Sequence, residues 1–287
     1  MIRRMDLELQ QFWNLATATV TCMYQDGAVT PIRPGHHIDW RRLPTLAASY
    51  IEGYDVRMEL ETDQPVQIES GEVICVRPWV RHRLSTCNIR RGVSRWSHTD
   101  FTIFGGVDVF AFFDTPWVIR GERARRIGAI NAELATVAKT TPASWAQLLR
   151  RDALGLELLA LVVECSTPRP QSLRAANDLH RLAPALEYMS THIAEPLYHA
   201  QLAAFCGMSA SRFHAVFKEV MGMAPGRYLQ DTRLRKAQSL LFAGQPSVKS
   251  VAAQVGYPDE FHFSRLFHKR FGRSPSKYRQ SSTDFNM

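Results

Sequence analysis

The sequence predicts an α+β protein, with a strand-rich N-terminal half, two helices after it, and an all-helical last third. Three observations support this division. Short apolar runs separated by turn residues extend from about Leu15 to Pro116, a pattern typical of a sandwich or barrel. From Glu122 onward, apolar residues recur every three or four positions, as they do on one face of a helix. Finally, one helical motif occurs twice in the last third.

The apolar runs of the first half are the predicted strands. Examples are Thr19–Tyr24, Ala47–Ile51, Val56–Leu60, Val66–Ile68, Val73–Val76 and Val107–Phe112. Each predicted turn contains a glycine, which accepts the left-handed backbone that tight turns need. These turns are Asp26-Gly27, Pro34-Gly35, Glu52-Gly53 and Ser70-Gly71.

Two amphipathic helices are predicted after the strands. The first spans Glu122 to Ala138, and the second follows Ser144, a favourable N-cap, and ends near Cys165. The second has apolar residues on one side, with others widening the stripe. They are Trp145, Leu148, Leu149, Leu156, Leu159 and Val163, then Leu158, Leu161 and Val162. So wide a stripe fits burial in the core of its own domain, and equally a second contact with another copy of the chain.

A domain boundary is predicted where this helical pattern stops. Residues 166–172 contain two prolines and three hydroxyl residues, the composition of a connector rather than of a helix or strand. We therefore expect a first domain at 1–165, a linker at 166–178 and a second domain at 179–287. A short helix is predicted at the start of the second domain, from Leu182 to Ile193.

The second domain contains an internal repeat of three blocks in the same order. Leu202-Ala203-Ala204, Gly207 and Met208 return 49 residues later as Val251-Ala252-Ala253, Gly256 and Tyr257. Phe213, Val216 and Phe217 return 50 residues later as Phe263, Leu266 and Phe267. Gly222, Pro225 and Tyr228 return as Gly272, Pro275 and Tyr278. The repeat indicates two copies of one structural unit.

Each copy predicts a helix-turn-helix unit. The paired alanines let a second helix cross closely, and the glycine after them ends the first helix and turns the chain. Ser209 and Asp259 are suitable N-caps for the second helices, whose phenylalanines form the buried face. We place the units at about 199–221 and 248–271, joined by a helix at about 225–243 that begins at Pro225. The second helix of such a unit enters the major groove of double-stranded DNA.

The outward faces of the two second helices are the predicted DNA-binding site. Their residues are Ser211, Arg212, His214 and Lys218 in the first unit, and Glu260, Phe261, His262, Ser264, Arg265, His268 and Lys269 in the second. Base contacts are expected from Arg212, His214, His262 and Arg265. Phosphate contacts are expected from Lys218, Lys269 and Arg270. The alternative is that these residues are only solvated surface.

Charge is distributed unevenly along the chain. The net charge is +8, and residues 179–287 hold 14 Lys and Arg against 7 Asp and Glu. Nearly all the positive excess therefore lies in the segment that carries the repeat, which favours a polyanionic partner there.

Residues 180–280 resemble the C-terminal domain of AraC/XylS-type regulators. The most specific marks are Gly256-Tyr257-Pro258-Asp259 and the run from Phe271 to Arg279. The resemblance implies a seven-helix domain that binds promoter or operator DNA, activates transcription and contacts RNA polymerase. Ala215 departs from the family pattern, which often has a longer polar side chain there, so base recognition by the first unit is expected to depend on Arg212 and His214.

The first half is similar to the sensing domain of the same family, a cupin-like jelly roll followed by dimerisation helices. Its best local mark is the stretch from Gly71 to His82, which resembles a cupin motif. The resemblance implies a homodimer that binds an unknown small-molecule effector. The predicted effector-binding residues are His37, Arg57, Trp79 and His82.

The main alternative is a metal-dependent cupin enzyme fused to a DNA-binding tail. Such a site needs several His and a carboxylate converging on one ion, but Tyr50 to Thr62 contain no histidine, and the adjacent His36 and His37 of a strand face opposite sides. We therefore predict no enzyme, no metal and no other cofactor. A regulator without an effector, whose first half only dimerises, is a further alternative.

Neither an export signal nor an apolar run long enough for a membrane span is found, so we expect a cytoplasmic protein without a membrane partner. The five cysteines are scattered and are predicted to be reduced thiols, with a redox sensor as the alternative.

Overall fold

A computed structural model describes residues 17, 19–88, 92–104, 106–137, 144–221, 223–242 and 247–278. The chain folds into two compact units. One consists of residues 22–101 and 109–169 and contains most of the strands; the other contains residues 102–108 and the helical chain from Pro170 onward. The fold is therefore α+β, with a strand-rich N-terminal part and a helical C-terminal part.

The strands form two antiparallel sheets and a short two-stranded ribbon. The larger sheet has the order β1-β8-β3-β6-β11, with β9 beside β8, and the smaller has the order β2-β7-β4-β5. Their bounds are β1 Thr21–Ile32, β2 His37–Arg41, β3 Leu46–Glu52, β4 Asp55–Leu60, β5 Val66–Ile68, β6 Val73–Val76, β7 His82–Cys87, β8 Gly92–Ile103, β9 Val107–Asp108 and β11 Val118–Ile119. β10 Phe113–Asp114 pairs with β12 Thr167–Pro168 in the ribbon. Ile51 of the larger sheet is fully buried in one cluster with Met58 and Ile68 of the smaller sheet, so the sheets pack face to face.

Several strand predictions are corrected by the structure. β1 continues through Asp26-Gly27, so the turn predicted there is wrong. The glycine is needed for a different reason: Gly27 lies so close to the backbone of Trp96 that a side chain would not fit. The predicted strand Val107–Phe112 is a strand only at Val107–Asp108, and a 3-10 turn follows it at Val109–Ala111. The long strand β8 was not predicted, because its inward positions include polar residues such as Ser97 and Thr99.

Two helices complete the strand-rich unit, α1 (Gly121–Val137) and α2 (Trp145–Glu164). Asn131 of α1 fixes this helix to the larger sheet, since its amide donates to the carbonyls of Ala48 and Arg95 at 3.0 Å and accepts from Ser97. Ser144 caps α2 in a complete capping box with Gln147, which confirms the predicted N-cap. The predicted last residue of the first helix, Ala138, lies outside the described residues.

Fewer residues of α2 are buried than are apolar. Its buried positions are Leu154, Gly155, Leu158 and Val162, whereas Trp145, Leu149 and Leu156 are exposed. The residues predicted as one stripe are thus divided between the core of the unit and an outer surface.

The predicted connector is in part regular structure. Thr167–Pro168 forms β12, and α3 begins at Pro170 and ends at Thr191, although the sequence predicts a helix only from Leu182. Proline is tolerated in the first turn of a helix because its missing N–H is not needed there. Much of the expected linker 166–178 therefore belongs to α3.

Five further helices follow in the helical unit: α4 (His199–Phe205), α5 (Ala210–Met221), α6 (Pro225–Phe242), α7 (Val248–Gln254) and α8 (Glu260–Phe271). A helical turn starts at Pro275. Leu182, Leu186 and Met189 of α3 are buried, and α3 packs against α4 and α5 as a brace. Gly222, a member of the repeat, lies outside the described residues. Over the described residues, every helix is too short or too polar to cross a membrane.

Candidate DNA-binding faces and ligand cavity

The first helix-turn-helix unit consists of α4 and α5. Gly207 has φ +61°, the left-handed backbone that glycine adopts without strain, and Met208 N–H donates to the Ala203 carbonyl at 2.9 Å to close the turn. Ser209 then caps α5, since its hydroxyl accepts from Arg212 N–H. Phe213 and Phe217 are fully buried beneath α5, as predicted.

The second unit, α7 and α8, repeats this construction. Gly256 has φ +83°, and a side chain there would collide with the backbone of Ala194. Asp259 caps α8 by accepting from Phe261 N–H at 2.8 Å and His262 N–H at 3.2 Å, and these bonds lower the pKa of its carboxyl. Phe263 and Phe267 are fully buried. The turn geometry and the buried face therefore match in both units.

The helix α6 joins the two units and anchors the second with charged side chains. Arg233 donates to the carbonyls of Ile193 at 2.6 Å and Glu195 at 2.7 Å, beyond the end of α3, and to that of Gly256 in the second turn at 3.4 Å. One guanidinium thus ties three segments of the helical unit together.

Arg270 has a partner that the sequence did not predict. It forms a two-armed ion pair with Asp231 of α6, which also accepts from Arg235 at 3.0 Å. Burial alone would raise the pKa of Asp231, but the bond from Arg270 and the charge of Arg235 outweigh it and hold this pKa below its usual range. Arg270 is thus engaged within the protein, and its contact with phosphate stays a prediction that competes with this ion pair.

The predicted DNA-binding residues lie on outward faces of α5 and α8. Those that are exposed are Ser211, Arg212, His214, Lys218, Phe261, His262, Arg265, His268 and Lys269; Glu260 and Ser264 are half-buried. Phe261 is 84% exposed, an unusual position for a phenylalanine unless another molecule covers it. Each face has positive side chains above a buried aromatic pair.

The strand-rich unit contains a cavity of about 270 Å³ between its two sheets. Strands of both sheets line it, with aliphatic side chains over much of the wall. These are Ile32, Ile38, Val56, Ile74, Val76 and Leu84. The volume lies just below the usual range for small-molecule sites, about 300–1,000 Å³.

One of the four predicted effector residues, His82, lines this cavity and is fully buried. Its Nδ1 lies 3.0 Å from the Val80 carbonyl, and burial lowers the pKa of its imidazole, with the charge of Arg41 adding to the effect. His37 and Arg57 are exposed on β2 and β4, and Trp79 is 39% exposed; these three do not line the cavity.

Sequence reasoning missed Arg41, His98 and Asp26. Register shifts by one residue between Ile38 and Arg41 of β2, so that Arg41, rather than Trp40, pairs with His82 of β7. Such a β-bulge redirects a side chain without leaving an alternation pattern in the sequence. His98 lies on β8, which was not predicted, and its Nδ1 bonds with Asp26 at 2.7 Å. The adjacent His36 and His37 do diverge, since only His36 lines the cavity.

No group of three or more His, Cys, Asp or Glu within the described ranges is placed to hold a metal ion. All five cysteines are free, and burial raises the pKa of Cys22 and Cys75 to about 12. These two are therefore thiols at neutral pH, unlike the acidic thiols of redox sensors.

The chain is similar to several known proteins. A helix-turn-helix domain family matches residues 202–281. The HTH-type transcriptional activator RhaS of Klebsiella pneumoniae is 25% identical over 267 residues, covering 86% of this chain and 87% of RhaS. The MmsAB operon regulatory protein of Pseudomonas aeruginosa is 38% identical over 117 residues, covering 40% of this chain and 37% of that protein.

Among solved structures, ToxT from Vibrio cholerae O395, bound to (E)-4-(8-methylnaphthalen-1-yl)but-3-enoic acid, has a TM-score of 0.51. It is 13% identical to this chain, with 92% of this chain and 99% of ToxT covered. At this identity the likeness concerns the fold, which is shared over nearly the whole of both chains.

Proposed function

The chain belongs to the AraC/XylS family of transcriptional regulators, and from this premise we propose that it reads specific base pairs with α5 and α8. The observation that carries the proposal is that each unit has an exposed arginine on its outward face. Arg212 directly precedes the buried Phe213, and Arg265 lies two positions after the buried Phe263. Arginine recognises guanine through two parallel hydrogen bonds in the major groove.

The linker helix supports simultaneous use of both faces. Its 18 residues, Pro225–Phe242, give a length of about 27 Å at the usual rise of an α-helix. Successive major grooves on one side of B-DNA are about 34 Å apart. We propose that the two units bind consecutive grooves of one asymmetric half-site.

The test is selection of binding sites by the full-length protein from a random double-stranded DNA library. Enrichment of a site with two blocks of preferred bases about one helical turn apart is expected. Affinity for that site should exceed affinity for random DNA by at least about a thousandfold at physiological salt. Recovery of no preferred sequence, with binding that only follows salt concentration, would overturn specific recognition.

The strand-rich unit is proposed to be a cupin-like jelly roll that binds a small-molecule effector in its cavity. The supports are the two face-to-face antiparallel sheets and an apolar-walled space with a few polar groups, the usual composition of a ligand site. The ToxT structure, of similar fold, is a complex with an organic acid. Effector binding is proposed to change activation of transcription, with RNA polymerase as the partner at the promoter and the cytoplasm as the compartment.

A homodimer is proposed to form through the outer surface of α2. Trp145, Leu149 and Leu156 are 76%, 54% and 41% exposed, and their spacing of four and seven residues places them on one side of the helix. Ala153 and Ala160 are exposed on the same side. A second copy of α2 would remove this apolar surface from water.

A further inference from the structure

Arg41 is a partly buried cation without a carboxylate partner. Its one described hydrogen bond goes from Nε to Nε2 of His82, at 3.2 Å. No carboxylate within the described ranges lies at ion-pair distance from Arg41, and burial lowers the pKa of its guanidinium. A guanidinium removed from water without an anion costs free energy that a bound anion would offset.

His82 holds this guanidinium in place. Because arginine Nε is always a donor, His82 Nε2 must accept, so the imidazole is neutral and its Nδ1 carries the proton that it donates to the Val80 carbonyl. The bond uses Nε alone. The two terminal nitrogens, which recognise a carboxylate or phosphate in parallel, have no partner among the described residues.

His98 provides a second polar group on the cavity wall. Its Nδ1 donates to the side-chain carboxyl of Asp26 at 2.7 Å. The opposite nitrogen, Nε2, has no hydrogen bond among the described residues. Asp26 bonds to His98 and lies beyond ion-pair distance of Arg41, although through space it raises the pKa of Arg41 against the effect of burial.

We propose that the cavity binds a small organic acid, whose carboxylate pairs with Arg41 and whose apolar body lies against the aliphatic wall. This inference rests on the proposed effector role of the cavity and narrows its ligand to one chemical class. Phosphate esters fit less well, because one guanidinium would face two negative charges beside Asp26. The cavity volume of about 270 Å³ restricts the acid to a small one.

The test uses linear, branched and aromatic monocarboxylates of about this size, each with its primary amide, against the full-length protein. The amide has nearly the same shape and lacks the charge. Thermal shift identifies binders, and titration calorimetry measures their Kd. At least one acid is expected to bind at least about tenfold more tightly than its amide, because a hydrogen bond to a charged group is the stronger kind.

Three variants locate the carboxylate. Arg41→Met should weaken the binding acid by about 10- to 100-fold, and Arg41→Lys should restore part of the affinity. Arg57→Met removes a matched arginine that is exposed outside the cavity and should leave Kd unchanged. Circular dichroism and the Tm without ligand show whether each variant folds. If Arg41→Met does not fold, the comparison of acids with amides and the affinity of Arg41→Lys decide whether Arg41 binds the carboxylate.

Equal binding of acids and amides, or an Arg41→Met variant that binds acids like the wild type, would overturn the inference. Binding of neutral compounds alone would also overturn it, yet leave the effector role of the cavity in place. If a broad metabolite library gave no ligand at all, the effector role itself would be contradicted, whereas DNA recognition is judged separately by site selection.

Discussion

At the scale of single residues, His82 is held neutral by its surroundings. Burial and the nearby charge of Arg41 lower its pKa below the ordinary 6.5. In the unfolded chain His82 takes up a proton as pH falls through about 6.5, whereas the folded protein resists it. The free energy that neutral His82 contributes to the folded state is therefore fully present above this pH. It declines as pH falls below this value toward the lowered pKa.

We accordingly expect His82→Gln to flatten the pH dependence of the free energy of unfolding between pH 7.5 and 5.5. The difference in slope is at most about 1.4 kcal/mol per pH unit, the value for one proton. Urea unfolding at several pH values measures it. His37→Gln is the matched control, because His37 is exposed and outside the cavity. If both variants had the wild-type slope, the neutral state of His82 would be disproved.

Arg265 and Lys269 lie four positions apart on the exposed side of α8, yet they are predicted to have different roles. Arg265→Ala should cost about 1–3 kcal/mol on the selected site and relax preference at one base pair. Lys269→Ala should weaken binding to all sequences alike and lower the slope of affinity against salt by about one ion. Competition binding with single-base variants of the site measures both. A uniform loss for Arg265→Ala would assign it to phosphate instead.

At the scale of elements, α2 crosses β1 at a glycine. A Cβ at Gly155 would overlap the Cys22 sulfur, and both positions belong to the strand-rich unit. Gly155→Ala should therefore destabilise that unit by about 1–3 kcal/mol, because overpacking outweighs the better helix propensity of alanine. Gly226→Ala is the control. It lies in α6 with open space around it, so the same exchange should be neutral or stabilise by about 0.5 kcal/mol. Chemical denaturation compares them, and equal effects would contradict close packing at Gly155.

Helices and strands differed in how well the sequence predicted them, and the reason is what each buries. In the helical unit, the glycine turns and the phenylalanine pairs are local features that occur twice, and both units lie where the repeat places them. β8 buries Ser97 and Thr99, so its inward side does not look apolar. The cavity depends on pairing between distant strands and on an extra residue in β2. His82 could be singled out from the sequence because it is the last residue of the Gly71–His82 stretch. Arg41 could not, because its side chain points inward only as a result of the bulge in β2.

At the scale of the whole molecule, composition and structure divide at the same place. Residues 179–287 hold almost all of the excess positive charge, and they form the helices that carry the exposed faces. The strand-rich unit has nearly balanced charge, with several of its arginines paired to acids, among them Arg126 with Glu157 and Arg150 with Glu133. The charge distribution therefore assigns attraction to DNA to the helical unit, and the proposed binding of a ligand and of a second copy is assigned to the other unit.

Dimerisation through α2 can be tested with single charge substitutions on its outer surface. If α2 pairs with α2 of another protomer, Leu149→Glu and Leu156→Glu would each bury an unpaired carboxylate in the contact, which is unfavourable. We expect each to weaken dimerisation by at least about tenfold, while the monomer keeps its fold because both side chains are exposed in it. Sedimentation velocity over a range of protein concentrations measures this. Val29→Glu makes the same exchange at a 45% exposed residue of β1 and should leave the dimer unchanged. A wild-type protein that is monomeric throughout, or Glu variants that dimerise like it, would show that this surface is not the dimer contact.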